Sequence, residues 1–221
     1  MLNLFKKETI SKIAFKLPLK DAIKRAQILV IDDEDSFPVE LLRKEGYNIF
    51  HWKKVDNLKQ LEEGAFDIIF LDIYNVAPKE FSKDDGLGIL EHLKKYNPSQ
   101  IIIAYSGQSF DLSKNRFWKL ADDTLAKPSD FIKCKELIDQ LLEDFFNIDH
   151  YWKSLREMLI NNGASNKQVI KLEHQISKSI QSNQPFDVAG FFGGFYKSAD
   201  LTAKLITIGN TIMKIYGALN V

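Results

Sequence analysis

Apolar residues in this chain gather into short unbroken runs, such as Ile28-Leu29-Val30-Ile31, Ile68-Ile69-Phe70-Leu71 and Ile101-Ile102-Ile103-Ala104. A sheet covered by helices on both sides leaves no room for a polar alternation, so runs of this kind fit strands buried on both faces. The pattern predicts strands at about 27–32, 47–51, 66–72, 100–106 and 123–127. Helical spacing fills the gaps. Leu58, Leu61 and Glu62 belong to a short helix ending at Gly64, and Leu87, Ile89, Leu90, Leu93 and Lys94 to a longer one stopped by Asn97-Pro98. Phe131, Leu137, Ile138, Leu141, Leu142 and Phe145 keep the same period through the last helix of the series. Strands alternating with helices predict a doubly wound α/β domain.

Chemistry concentrates where the runs stop. Asp32-Asp33, Asp72 and Ser106 each follow an apolar run, and Lys127 closes Leu125-Ala126-Lys127-Pro128. An open parallel sheet binds its ligand outside the carboxyl ends of its strands. Three converging carboxylates are tolerable if a hard divalent cation sits among them, and magnesium prefers such oxygen ligands. Lys127 supplies a point charge for a phosphoryl oxygen and Ser106 a hydrogen-bond donor. The set suits phosphoryl transfer in which Asp72 attacks phosphorus and carries it as an acyl phosphate. No base is needed, because an aspartate is already ionised at neutral pH. Each residue also has a plain structural reading: a helix-capping acid pair, a turn acid, a strand-end hydroxyl, a surface lysine. Their joint arrival at strand ends favours a site.

In this order, and with Asp85-Gly86-Leu87 and Ala121-Asp122-Asp123 between them, the motifs resemble the receiver domains of two-component response regulators over about residues 27–146. The resemblance implies a flavodoxin-like, five-stranded parallel sheet of order 2-1-3-4-5, numbered along the chain. It implies magnesium on Asp32, Asp33, Asp72 and the backbone carbonyl of Tyr74, with Asp72 as phosphoacceptor. Ser106 and Lys127 would contact the phosphoryl group, and the Lys127–Pro128 peptide would be cis. The donor would be a histidine kinase or a phosphotransfer protein, and no catalysis beyond self-phosphorylation and autodephosphorylation is expected. Haloacid-dehalogenase-like phosphatases use similar groups, but their nucleophile lies on the first motif and a second Asp follows two residues later. Here the acid pair comes first and Tyr74 fills that second position.

Three features depart from the receiver pattern. Thr124 stands where the family often has an aromatic switch residue, with Tyr105 as the nearby substitute. The segment 73–84 is several residues longer than the usual loop, and long loops beside a site are often functional. Asp33 to Gly46 leaves little room for the first helix, which contains Pro38 and is about a turn short, and this bears on donor choice because that helix often docks the donor in the family.

With 221 residues the chain accommodates a full domain and a smaller second one. Its 30 basic and 30 acidic residues are unevenly spread, net +5 over residues 1–26, −8 over 27–146 and +3 over 147–221. The single cysteine, Cys134, excludes an intrachain disulfide and suits a reducing compartment. No signal-peptide core opens the chain, and Lys204 and Lys214 interrupt the best candidate span, so a soluble cytoplasmic protein without a membrane span is expected. His51, His92, His150 and His174 lack metal-ligand spacing.

Residues 1–26 read as a basic N-terminal extension in which Ile10, Ile13, Phe15 and Leu17 alternate with lysines and Pro18 divides the segment. Such a segment packs by its apolar face or lies on a membrane surface or partner. Residues 147–221 read as a helical effector or oligomerisation domain. Helices are expected at 151–160 and 169–180 around Asn161-Asn162-Gly163, then a Gly- and Phe-rich break at 190–195, then a long helix through Leu201, Leu205, Ile208, Ile212 and Ile215. Its apolar face would meet a downstream protein or a second copy of the chain as a homodimer. The alternative is a DNA-binding transcriptional regulator with a divergent helix-turn-helix, since Arg156 to Val169 resembles the entry to that motif. The match then weakens. Glu173-His174-Gln175 offers no turn glycine, Pro185 would cut the recognition helix, and few Arg or Lys are available for DNA.

Overall fold

The structure is a computed structural model, and it describes Ile10 and residues 17–107, 115–182, 186–193 and 198–217. Ile13, Phe15, Pro185 and the Gly194-Phe195 part of the aromatic stretch lie outside the described residues. The chain divides into two compact units, one of residues 18–146 and one of residues 1–17 with 147–221.

The first unit is built on a five-stranded sheet. Its strands are β1 (Gln27–Ile31), β2 (Asn48–Trp52), β3 (Ile68–Leu71), β4 (Ile101–Ser106) and β5 (Asp123–Ala126), all parallel, in the order β2-β1-β3-β4-β5. This is the flavodoxin-like order that the resemblance implies. Every residue of β3 and β4 is buried, which is why both read as unbroken apolar runs.

Alternate strand residues face opposite layers. Leu29, Ile31, Ile69, Leu71, Ile102 and Ala104 join one core with Leu61 of α3 (Leu58–Glu62), Ile89, Leu90 and Leu93 of α4 (Asp85–Tyr96) and Phe117 of α5 (Asn115–Leu120). Their neighbours in sequence point to the other side, where Phe37 stacks on Phe70 and Tyr105 at ring distances of 4.9 and 5.1 Å. That side carries α1 (Leu19–Arg25), α2 (Val39–Lys44) and α6 (Phe131–Asp144), with α6 against both of the others. Cys134 is fully buried on α6, and burial pushes its thiol up to about 12, so it serves as a small apolar residue.

Two elements differ from the sequence expectation. Residues 19–25, read as part of the extension, form α1 in the sheet unit, with Ala22 and Ala26 buried. No helix was expected between β4 and β5, yet α5 is there. Its six residues are too few for periodicity to register. The first helix is short, as expected, but Pro38 stands at its N-cap and not within it: α2 starts at Val39 and spans six residues.

The second unit is helical: α7 (Ile148–Asn161), α8 (Asn166–Ser182), α9 (Val188–Gly193) and α10 (Ala199–Gly217). Asn147 caps α7 by accepting the His150 N–H at 2.9 Å. The expected stripe on α10 is realised, with Leu205, Ile208, Ile212 and Ile215 buried and the helix lying against α7 and α9. The Gly- and Phe-rich stretch is not a break where it is described. Asp187 accepts the Gly190 N–H at 2.8 Å and starts α9, and Gly209 of α10 lets α9 lie close, since a Cβ there would meet Val188 Cγ1 at 2.5 Å. Glu173-His174-Gln175 lies inside the unbroken α8, so the helix-turn-helix match has no turn where it needs one. Ile10 belongs to this unit, its N–H donating to Glu173 at 3.1 Å. No helix among the described residues is long and apolar enough to cross a membrane.

Candidate functional site

Asp32, Asp72 and Lys127 each stand one residue past a strand, Ser106 ends β4, and the ladder holds the backbone of the first three. The Asp32 N–H donates to Trp52 O at 3.0 Å, Asp72 N–H to Ile31 O at 2.9 Å, and Lys127 N–H to Ser106 O at 3.0 Å. Strand pairing thereby fixes the backbones of three candidate residues at the ends of β1, β3 and β5. The Ala121-Asp122-Asp123 motif explains why β5 sits in register: Asp122 accepts Ile102 N–H at 2.7 Å and the Lys94 ammonium at 2.6 Å. The Lys127–Pro128 peptide is cis.

These residues meet in a cleft of about 550 Å³ lined by Asp33, Asp72, Tyr74, Ser106 and Lys127, with Glu34, Ser36, Asn75, Gly107 and Pro128 around them. Asp32, Asp72 and Ser106 are nearly or fully buried, and Asp33 is half-buried. The Lys127 ammonium bridges two carboxylates, donating to Asp72 Oδ2 at 2.5 Å and to Asp32 Oδ1. A third bond fixes the Asp72 rotamer, from Ile73 N–H to Asp72 Oδ1 at 2.6 Å.

Burial raises the Asp72 carboxyl above its ordinary value, against the opposing pull of Lys127 and the Ile73 amide. Burial also works against the charged Lys127, but hydrogen bonds to Asp32 and Asp72 outweigh it and hold the ammonium above its usual range. The lysine therefore stays charged.

Asp32, Asp33 and Asp72 each place a carboxylate oxygen within 4.8 Å of the others. Three hard oxygen donors at that spacing fit a divalent cation such as magnesium, with remaining positions left to water and substrate oxygens.

The long loop after β3 is ordered by Asp85. Its Oδ1 accepts the N–H groups of Val76 at 3.0 Å and Ala77 at 2.8 Å, and its Oδ2 accepts that of Asn75. Gly86 follows because nothing larger fits: a Cβ there would lie 2.1 Å from the Asp72 carbonyl oxygen. The Asp85-Gly86 pair thus clamps the segment carrying Tyr74, whose side chain is exposed at the cleft rim.

Thr124 is exposed on β5, opposite Ala104. Tyr105, by contrast, is fully buried, with its hydroxyl 3.0 Å from Ser36 Oγ and its ring under the Lys127 ammonium at 5.0 Å. Ser36 was not anticipated, and its position four residues after Asp32 is the only sequence signal for it. His51 also touches the site, its Nε2 lying 2.8 Å from the Asp32 carbonyl oxygen. The other three histidines are not among the residues lining the cleft.

No protein-family model matches the chain. It is 29% identical over 188 residues to an NtrX-like response regulator of Rickettsia felis, the match taking in 81% of this chain and 38% of the relative. The NtrX-like response regulator of Rickettsia bellii is also 29% identical, over 189 residues, 81% of this chain and 37% of the relative. The chain spans well under half the length of these curated relatives. Both matches are longer than the first 146 residues together, so they run on into the helical unit. Among solved structures, the receiver domain of NtrX from Brucella abortus is 25% identical and covers 53% of this chain and 99% of its own, with a TM-score of 0.45. A CheY-like receiver domain protein from Methanospirillum hungatei is 22% identical over 54% of this chain and 94% of its own, with a TM-score of 0.46.

Proposed function

We propose that this chain is a response regulator of a two-component phosphorelay, with Asp72 as its phosphoacceptor. The observation that carries the reading is the Lys127 ammonium held between Asp72 and Asp32 at the carboxyl end of the sheet, beside a third carboxylate and a serine. Similarity to NtrX-like response regulators supports the same reading.

In the transfer, an Asp72 carboxylate oxygen forms a bond to phosphorus as the phosphorus–nitrogen bond of a phosphohistidine breaks. The freed imidazole takes a proton from solvent. Lys127 and Ser106 offer donors to the phosphoryl oxygens, and the strand ladder keeps both from drifting. Bound at Asp32, Asp33 and Asp72, with the Tyr74 carbonyl completing the set, magnesium would offset the charge on those oxygens. The donor is a histidine kinase or phosphotransfer protein, the setting is the cytoplasm, and the chain has no catalytic role beyond this self-modification. Phosphorylation shifts an existing equilibrium that the helical unit reports through a protein contact or a change of assembly.

Incubation with magnesium and phosphoramidate, followed by intact mass measurement, tests the acceptor. One phosphoryl adduct is expected on the native chain and none on Asp72→Asn. An adduct that persists in Asp72→Asn rules out Asp72.

A further inference from the structure

A pair of hydroxyls runs from the core of the sheet unit to the acidic site. Ser36 Oγ lies 3.2 Å from Asp32 Oδ2 and 3.0 Å from the Tyr105 hydroxyl. The direction of the protons follows from chemistry: an ionised carboxylate only accepts, so Ser36 gives its one proton to Asp32 and Tyr105 donates to Ser36. Burial raises the Tyr105 phenol, which keeps that donor protonated.

The same tyrosine touches both sides of the charge pair. Its hydroxyl acts on Asp32 through Ser36, and its ring lies 5.0 Å below the Lys127 ammonium that binds Asp32 from the other side. Phe37 packs edge-on against that ring at 5.1 Å, so Tyr105 has little freedom to turn. Asp32 is fully buried, with Oδ1 taken by Lys127 and the Glu34 N–H at 3.3 Å and Oδ2 by Ser36. Without Ser36, Oδ2 would lose the one hydroxyl among the described residues that bonds it and fixes the carboxylate plane. Carboxylates that ligate metals are oriented by such outer partners, and removing one typically weakens metal binding.

We propose that Tyr105 and Ser36 form a positioning relay that presents the Asp32 carboxylate to the divalent cation. The inference rests on the cation reading above and deepens it: Tyr105 is engaged from the α2 side of the sheet, where Thr124 plays no part. Tyr105 is fully buried and Ser36 acts here through the Asp32 carboxylate, so both are positioning residues.

Manganese(II) serves as the probe, with the EPR signal of the free ion counting what is bound to the full chain. Ser36→Ala is expected to weaken manganese binding by about tenfold. Ser36→Thr, which keeps the hydroxyl, should restore affinity to within about twofold of native. Tyr105→Phe retains the ring over Lys127 and should lose about threefold, one bond further from the metal. The manganese concentration giving half-maximal phosphorylation by phosphoramidate should rise by the same factors. Native-like binding in Ser36→Ala overturns the relay, as does a Ser36→Thr variant as weak as Ser36→Ala. A native chain that holds no manganese refutes the cation reading itself, and the relay with it. Urea unfolding of each variant shows that the measured chains are folded.

Discussion

Lys127 is the residue on which the charge balance of the site turns. It is almost completely buried, and its ammonium is the partner of two buried carboxylates. Replacing it with methionine leaves Asp32 and Asp72 facing each other without a counterion, and the rate of phosphorylation by phosphoramidate should fall by about 100-fold. The same change has a predicted sign for Asp72. Burial already lifts its carboxyl above 3.8, and Lys127 is the main opposing influence, so the value rises further in Lys127→Met. A carbon-13 titration of the Asp72 carboxyl without metal measures both steps. A midpoint at or below 3.8 in the native chain contradicts the burial argument.

The site acids, Ser106 and Lys127 were legible in the sequence because each terminates an apolar run or sits in a short motif at a strand end. Ser36 was not, since its partner Tyr105 lies 69 residues away and only the sheet order brings the two together. Tyr105 was visible as a substitute for the switch, but its partner on the α2 side was not.

Helices and strands impose their own tests. The first turn of α4 rests on the backbone of Asp72, and Gly86→Ala would drive a Cβ into the Asp72 carbonyl. Backbone does not yield as a flexible side chain does, so a loss of roughly 1–3 kcal/mol is expected in urea unfolding. An unchanged midpoint would show that α4 shifts freely. On the opposite layer, Tyr47 donates its hydroxyl to Asp139 of α6, beside Lys135. Burial first, and the Asp139 bond second, push its phenol from 10.0 up to about 12. The neutral phenol is therefore the form the fold prefers. Its stabilising contribution is fully present below pH 10 and is lost as pH rises through about 12. Urea midpoints taken between about pH 9 and 11 should fall less steeply in Tyr47→Phe than in the native chain. Equal slopes would contradict the assignment.

The strands were readable because burial on both faces demands consecutive apolar residues. Two of the short helices were not. In α5 and α9, six residues each, tertiary packing decides the conformation and the periodic signal is too brief, whereas α3 and the shortened α2 were both expected.

For the whole molecule, a sheet unit of negative net charge is joined to a helical unit of positive net charge. Size-exclusion chromatography with and without phosphoramidate should show an elution shift that Asp72→Asn abolishes, if the helical unit reports by assembly. A labelled-DNA shift that is specific in sequence and survives moderate salt would instead favour the DNA-binding alternative. The helical unit was the least legible part. Helices with a buried stripe announce their own packing, and the identity of an outside partner is written in surface details that periodicity does not carry.

The most direct test is chemical mapping of the acceptor. After incubation with magnesium and phosphoramidate, borohydride reduction converts an aspartyl phosphate to homoserine, and peptide mass spectrometry locates it. Homoserine at position 72 alone, absent when magnesium is withheld or Lys127 is replaced by methionine, is the expected result. Homoserine at another aspartate, or none while the intact chain carries a phosphoryl adduct, would contradict Asp72 as the acceptor.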